Sequence, residues 1–155
     1  MTDSIRKQIL TNMVAAFAQV TPANGWPIEF STCVLGPLGE QDQRKRYSIG
    51  VVAGKERFKH QFSYYDCFLP VAVEFRITVN RGDAASAELV EQVLTIVEQV
   101  ALANTTWGGL AIDTILTSNE VDLTTYADRS AEGVLFFEVH YRHSRKDPTD
   151  ANPSF

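Results

Sequence analysis

One stretch constrains the fold more than any other: an alternating run that breaks into a long amphipathic segment. Val71, Val73, Phe75, Ile77 and Val79 alternate with Ala72, Glu74, Arg76, Thr78 and Asn80. A period of two places the apolar set on one face of a strand. Arg81-Gly82-Asp83 interrupts the run, and Asp83 is suited to cap a helix. From Ala84 to about Ala103, Leu89, Val93, Ile96, Val97 and Val100 fall on one side, with Glu88, Glu91, Gln92, Thr95, Glu98 and Gln99 on the other. This predicts an amphipathic helix of roughly five turns, about 30 Å long. Asn104 and Gly108-Gly109 end it, and Leu110 to Leu116 reads as another strand. The apolar side of such a helix must be buried. Leu89, Val93, Ile96, Val97 and Val100 are therefore expected to pack on Val73, Phe75, Ile77 and Val79.

The flanking sequence extends this unit. Asp3 or Ser4 can cap a first helix running to about Val20, with Ile5, Ile9, Met13, Ala16, Phe17 and Val20 near helical spacing. Thr21 to Pro27 ends it, and Ile28 to Leu35 reads as a strand. Gly36 to Gln43 reads as a polar loop. Arg46–Val52 and Lys55–Ser63 read as a hairpin about an Ala53-Gly54 turn, and Ser63–Pro70 as an aromatic-rich connector. Asn119–Glu132 reads as a polar loop, and Gly133–His143 as the last strand. The order helix, strand, hairpin, strand, helix, strand, strand predicts an α+β fold: a mainly antiparallel sheet with two helices packed on one face. A chain of 155 residues suits a single domain. That domain is expected over 1–145, followed by a mobile C-terminal tail over 146–155, which has two prolines and little to pack.

Composition narrows the function classes. Hydrophobic residues make up 45% and charged residues 21%, which excludes disorder throughout. No apolar run reaches the length of a membrane-spanning helix. Met1-Thr-Asp-Ser lacks the basic-then-apolar pattern of a secretory signal, so Cys33 and Cys67 are expected as free thiols. The formal charge of −5 argues against a dedicated nucleic-acid binder, but its distribution is informative. Six bases (Arg44, Lys45, Arg46, Lys55, Arg57, Lys59) and one acid, Glu56, lie between Arg44 and Lys59. Between Asp83 and Glu138 lie ten acids and one base, Arg129. Such asymmetry bears on partners. In the expected hairpin, Arg44, Arg46, Lys55, Arg57 and Lys59 share one face, opposite Tyr47, Ile49, Val51, Phe58 and Phe62. That basic face is either a solvated surface whose lysines deter edge pairing or a contact for an acidic partner.

Chemical signatures are sparse. His140 and His143 are three apart on a strand and point to opposite faces, unlike a ligand pair at i and i+2. Two cysteines and three histidines supply no zinc signature. Gly108-Gly109 lacks phosphate-loop spacing, and no serine or cysteine sits in a nucleophile elbow. Glu74, Arg76 and Thr78 share one strand face, and so do Glu138, His140 and Arg142. On neighbouring strands they would form a carboxylate–imidazole–guanidinium cluster, either a solvated sheet face or the start of an acid/base site. No catalytic, cofactor or metal site is expected.

From Pro70 to Pro148 the order of features resembles the tail terminator, or tail completion, proteins of long-tailed bacteriophages. The features are Val73-Glu-Phe-Arg-Ile-Thr-Val79, Gly82-Asp83-Ala84-Ala85 opening the long helix, Trp107-Gly-Gly-Leu-Ala-Ile-Asp113, and Phe137-Glu-Val-His-Tyr-Arg142 followed by Asp147-Pro148. The resemblance implies a non-enzymatic α+β subunit of a hexameric ring in the virion, assembled in the host cytoplasm. That ring sits on the head-proximal end of the tail tube, stops tube growth and offers a surface to the head connector. Its partners would be its own copies, the tail tube protein and the connector, with no membrane. DNA would pass through without specific binding. Six chains at −5 each carry −30, which suits a passage that must not hold phosphates. Another neck component, such as a head-closure or adaptor protein, and a small α+β enzyme using the polar sheet face are the alternative classes. For the ring, two patches of opposite sign are the expected contacts: Arg44, Arg46, Lys55, Arg57 and Lys59 on one subunit, and Glu88, Glu91 and Glu98 on the long helix of the next.

Overall fold

A computed structural model describes residues 2–39, 46–79, 86–122 and 130–151. The elements are α1 (Ile5–Ala18), β1 (Thr32–Leu35), β2 (Tyr47–Ala53), β3 (Arg57–His60), β4 (Tyr64–Thr78), α2 (Ser86–Ala103), β5 (Ala111–Asp122) and β6 (Ser130–Ser144). The strands form one sheet in the order β1-β2-β4-β6-β5, with β3 also paired to β4. Only β1 and β2 run parallel. The chain is thus an α+β fold of two layers, as its element order predicts.

The helices cover one face. Tyr47, Ile49 and Val51 of β2, Leu69 to Ile77 at odd positions of β4, and Leu135, Phe137, Val139 and Tyr141 of β6 are all buried. The register sets them side by side: Ile49, Phe75 and Gly133 form one row, Val51, Val73 and Leu135 the next. Leu89, Val93, Ile96, Val97 and Val100 of α2 are buried in the same core, as are Ile5, Ile9, Met13 and Phe17 of α1. Val90, Leu94 and Ala101 are buried as well, so α2 sinks more than the expected stripe. Ser4 caps α1, its Oγ accepting from Lys7 N at 3.1 Å. The expected cap of α2 at Asp83 lies outside the described residues. Beyond α2, Trp107, Gly108 and Gly109 take positive φ of 47°, 80° and 83°. Three left-handed residues in a row turn the chain back into β5, a path that glycine follows without strain.

The expected hairpin about Ala53-Gly54 does not form. β2 and β3 both pair with β4, along the same side. They make one interrupted strand whose hairpin partner is β4 and whose turn lies at 61–63, where Gln61 N donates to Tyr64 O at 3.0 Å. Ala53 faces Val71 and Arg57 faces Phe68, so three residues on one side oppose two on the other. This is a β-bulge. Pro70 explains its place. In a strand, a residue's N–H and C=O point to the same neighbour, and Pro70 O accepts from Gly54 N at 2.8 Å. The donor that Pro70 lacks would point at the bulge, where the ladder is already interrupted. Proline therefore sits inside β4, and the expected connector 63–70 is strand.

The bulge turns Glu56 inward. Its Oε2 lies 3.1 Å from Arg6 Nη1 of α1, and its Oε1 accepts from the Tyr141 hydroxyl. Burial first, and then the Glu56 carboxylate, push the Tyr141 hydroxyl up. The same two causes push the buried Cys67 thiol up to about 12. Cys67 and Cys33 are both free.

Several expected boundaries move. β1 is confined to Thr32–Leu35, while β5 runs on to Asp122 and β6 starts at Ser130. The polar loop expected over Asn119–Glu132 is thus strand at its two ends, Asn119–Asp122 and Ser130–Glu132; 123–129 lie outside the described residues. Of the tail expected from 146, Lys146–Ala151 bond to the domain: Ile5 N donates to Pro148 O and Ser144 N to Asp150 O, each at 2.9 Å. Pro148 thereby satisfies one of the orphan N–H groups that open α1. Residues 152–155 lie outside the described residues.

Candidate functional site

The sheet's second face carries the even-numbered side chains of β4 and β6, and no described helix covers it. Across the register Asp66 faces Arg142, Phe68 faces His140, Pro70 faces Glu138 and Arg76 faces Glu132. At one end, the tip where β3 turns into β4, these residues build a cluster on Asp66. Arg142 Nε lies 2.7 Å from Asp66 Oδ1, His140 Nε2 lies 2.8 Å from the same oxygen, and Gln61 Nε2 donates to Oδ2 at 3.1 Å. An ionised carboxylate only accepts, so His140 Nε2 must carry its proton. Burial pushes the Asp66 carboxyl up, but hydrogen bonds from Arg142, His140 and Gln61 outweigh it and hold the group below its ordinary value. Rings flank the cluster. The His140 ring stacks on Phe68 at 4.6 Å, the Arg57 guanidinium lies 4.6 Å from the Phe68 centroid, and Arg142 lies 4.6 Å from that of Tyr64.

A carboxylate–imidazole–guanidinium cluster therefore exists, though not as the sequence set it out. β4 and β6 are neighbours, but Glu74, Arg76 and Thr78 lie at the far end from Glu138, His140 and Arg142. Arg76 pairs with Glu132 at 2.8 Å. The acid that meets His140 and Arg142 is Asp66, from the segment read as connector. Its signal was present: Cys67 and Leu69 continue the apolar odd positions of β4 back through Pro70, so Asp66 and Phe68 belong to the outward set.

The expected basic face divides. Arg44 lies outside the described residues. Arg46 precedes β2, its guanidinium 5.4 Å from the Tyr47 ring, and its carbonyl accepts from Thr78 N at 2.7 Å, at the end of β4 opposite the tip. Lys55 is exposed in the bulge, while Arg57 and Lys59 are exposed on β3 and face Phe68 and Asp66. One continuous hairpin face became a strand line roughly 40 Å long, because β2 and β3 run end to end rather than side by side. Phe58 is on the other side of β3 from Arg57, as expected, but 55% exposed, and Phe62 at the turn is 92% exposed. Glu88 and Glu91 are exposed on α2 and Glu98 is half-buried.

Among the described residues three strands have one open side: β5 pairs only with β6, β3 only with β4 and β1 only with β2. Eight large apolar side chains are exposed among the described residues, and seven of them lie on these strands or the turn: Leu35, Phe58, Phe62, Ile112, Ile115, Leu116 and Val121. At the end opposite the tip, a cleft of about 360 Å³ opens between the Pro37-Leu38 loop and the last residues of β5 and is lined by Glu74, Arg76, Glu120 and Glu132 among others. Leu38 N donates to Glu74 Oε2 at 3.3 Å and Arg76 Nη1 to Gly39 O at 2.8 Å, which ties that loop to the sheet. Among the described residues no group of three or more His, Cys, Asp or Glu side chains could hold a metal ion, and no helix is long and apolar enough to cross a membrane.

No protein-family model matches the chain, and no curated protein matches it.

Proposed function

We propose that the chain is a non-enzymatic assembly subunit that closes into a hexameric ring on the head-proximal end of a phage tail tube. The ring stops tube polymerisation and presents the docking surface for the head connector. One observation supports the assembly part of this reading: the exposed apolar side chains concentrate on the open edge strands of one sheet. A domain that stays alone blunts such edges, whereas a subunit with a neighbour on each side uses them. The terminator part rests on the order of features from Pro70 to Pro148. In this reading the partners are other copies of the chain, the tail tube protein and the connector. DNA passes through unbound, and the subunit belongs to the virion neck. A carboxyl held below its ordinary value stays ionised at neutral pH, so Asp66 suits a fixed tie between β3, β4 and β6 better than proton transfer.

The test is a phage that lacks this chain. Full heads and separate tails of irregular, often excessive length are expected. Separate tails of normal length would instead indicate a head-closure or adaptor protein, and normal-length tails joined to heads would remove both readings. Native mass spectrometry of the purified chain should give six copies; another closed number would revise the ring size alone.

A further inference from the structure

We propose that β5 of one copy pairs antiparallel with β3 of the next, with Val121 opposite Phe58 and Glu120 opposite Lys59. The edge chemistry on both strands leads to this register. Gln61 N donates to Tyr64 O and Gly54 N to Pro70 O, so even-numbered residues of β4 bond toward β2–β3 and odd-numbered ones toward β6. In β3 the residues facing those even positions are Arg57 and Lys59, so Phe58 and His60 turn their N–H and C=O groups to the open edge. In β6 the odd positions face β4, and the even ones bond toward β5; Phe136 O accepting from Thr117 Oγ1 agrees. Glu120 faces Val134 and so bonds inward, leaving Asn119 and Val121 to present backbone groups outward.

The two edges therefore match. Placing Val121 on Phe58 puts Asn119 on His60, and both become hydrogen-bonded pairs. The same register sets Glu120 against Lys59 on the sheet face opposite the helices. It covers Val121 (39% exposed) with Phe58 (55%) and brings the Phe62 turn alongside Leu116 (39%). A neighbour set level, without sliding, fails on both counts. Glu120 is level with Glu74, and Lys59 with Asp66, so a level copy leaves Lys59 without Glu120. The outer half of β5 would also run into β1, which lies one strand farther out than β3. Sliding the copy by eight residues, roughly 27 Å, clears β1 and joins opposite charges. The contact is heterologous, so an open row of subunits keeps one free β3 at one end and one free β5 at the other until a ring closes. The proposal rests on the reading above only for that closure.

The experiment uses the full chain. Lys59→Glu and Glu120→Lys should each weaken self-association about five- to tenfold in sedimentation velocity, and the double variant should recover most of it. Mixing Phe58→Cys with Val121→Cys should give an oxidised dimer that neither gives alone, since opposed backbones about 5.5 Å apart suit a disulfide. A monomeric parent, unchanged association in both charge variants, or no mixed disulfide would overturn the pairing. Rescue of Lys59→Glu by Glu91→Lys with Glu98→Lys, and not by Glu120→Lys, would overturn it in favour of a contact on α2. Edge pairing in a protein whose loss leaves tails normal would keep this inference and remove the terminator reading.

Discussion

Gly133 offers a stringent test of the core. It sits opposite Phe75 across the β4–β6 ladder, and Phe75 is 1% exposed. A Cβ added at Gly133 would fall 2.4 Å from Phe75 Cζ and 2.8 Å from Cε1. Resting carbon contacts are about 3.5–4.0 Å, so the ring or the strand must move by about 1 Å or more. Gly133 has no positive φ, so backbone strain adds nothing. Alanine would otherwise help, since glycine in a strand costs roughly 0.5–1 kcal/mol relative to alanine. Overpacking costs about 1–3 kcal/mol and wins. Gly133→Ala should therefore lose about 1–2 kcal/mol, a fall in Tm of about 2–8 °C for a chain of this size. Urea melts should show a lower midpoint at unchanged slope. Phe75→Leu removes the obstructing ring atoms, and in that background Gly133→Ala should be neutral or mildly stabilising. The cycle should give a coupling of at least about 1 kcal/mol. Equal losses in both backgrounds, or a parent-like Gly133→Ala, would refute the steric argument.

Three further outcomes are expected. Val93 is fully buried, so Val93→Asp places an unpaired charge in the core and should abolish cooperative folding, read by circular dichroism and solubility. Trp107 Nε1 donates to Thr114 Oγ1, which itself donates to Thr105 O, both at 2.8 Å; Thr114→Val orphans the buried Trp107 N–H and the part-buried Thr105 carbonyl and should cost about 1–3 kcal/mol, with a shifted Trp107 emission. Asp66→Asn should cost about 1–2 kcal/mol at pH 7, less than a fully buried charged network because Arg142 and His140 are partly exposed. The folded Asp66 carboxyl lies below its unfolded value of 3.8, so its contribution is present above that pH and is lost as pH falls through the folded value. The gap between parent and Asp66→Asn in stability should thus begin to narrow below about pH 4 and close once pH passes the folded value, as followed in acid melts.

The covered half of the molecule was readable because burial leaves a period. Val73, Phe75 and Ile77 at spacing two, and Val93, Val97 and Val100 near 3.6, name their own faces, and all are buried. The uncovered half leaves no such mark. β5 beyond Thr114 is exposed at every position, so Asn119–Asp122 reads like a loop although it is paired to β6. Pro70 misled in a second way. It reads as a strand breaker, and recognising it as part of β4 requires the bulge on the neighbouring strand. Without that, Asp66 cannot be placed beside His140 and Arg142, and β2 and β3 look like two arms of a hairpin.

Charge shows why that difference matters for partners. Read along the sequence, the bases of 44–59 and the acids of 83–138 are two blocks, which suggests one patch against another. The long pairing of β4 with β6 redistributes them along the strand direction. Arg57, Lys59, Arg142 and Arg145 gather near the tip, whereas Glu74, Glu120 and Glu132 gather at the far end with Arg76 and Arg46. Polarity along the strands favours neighbours that are slid past one another, because sliding brings the basic tip of one copy to the acidic end of another. Each exposed pair contributes only about 0–1 kcal/mol, so the polarity governs register and rate of encounter more than final stability. Raising salt from 0.05 to 0.5 M, where screening shortens from roughly 14 to 4 Å, should therefore slow assembly more than it dissolves finished rings. Equal loss in both would place the main attraction in charge rather than in the Phe58, Phe62 and Val121 contacts.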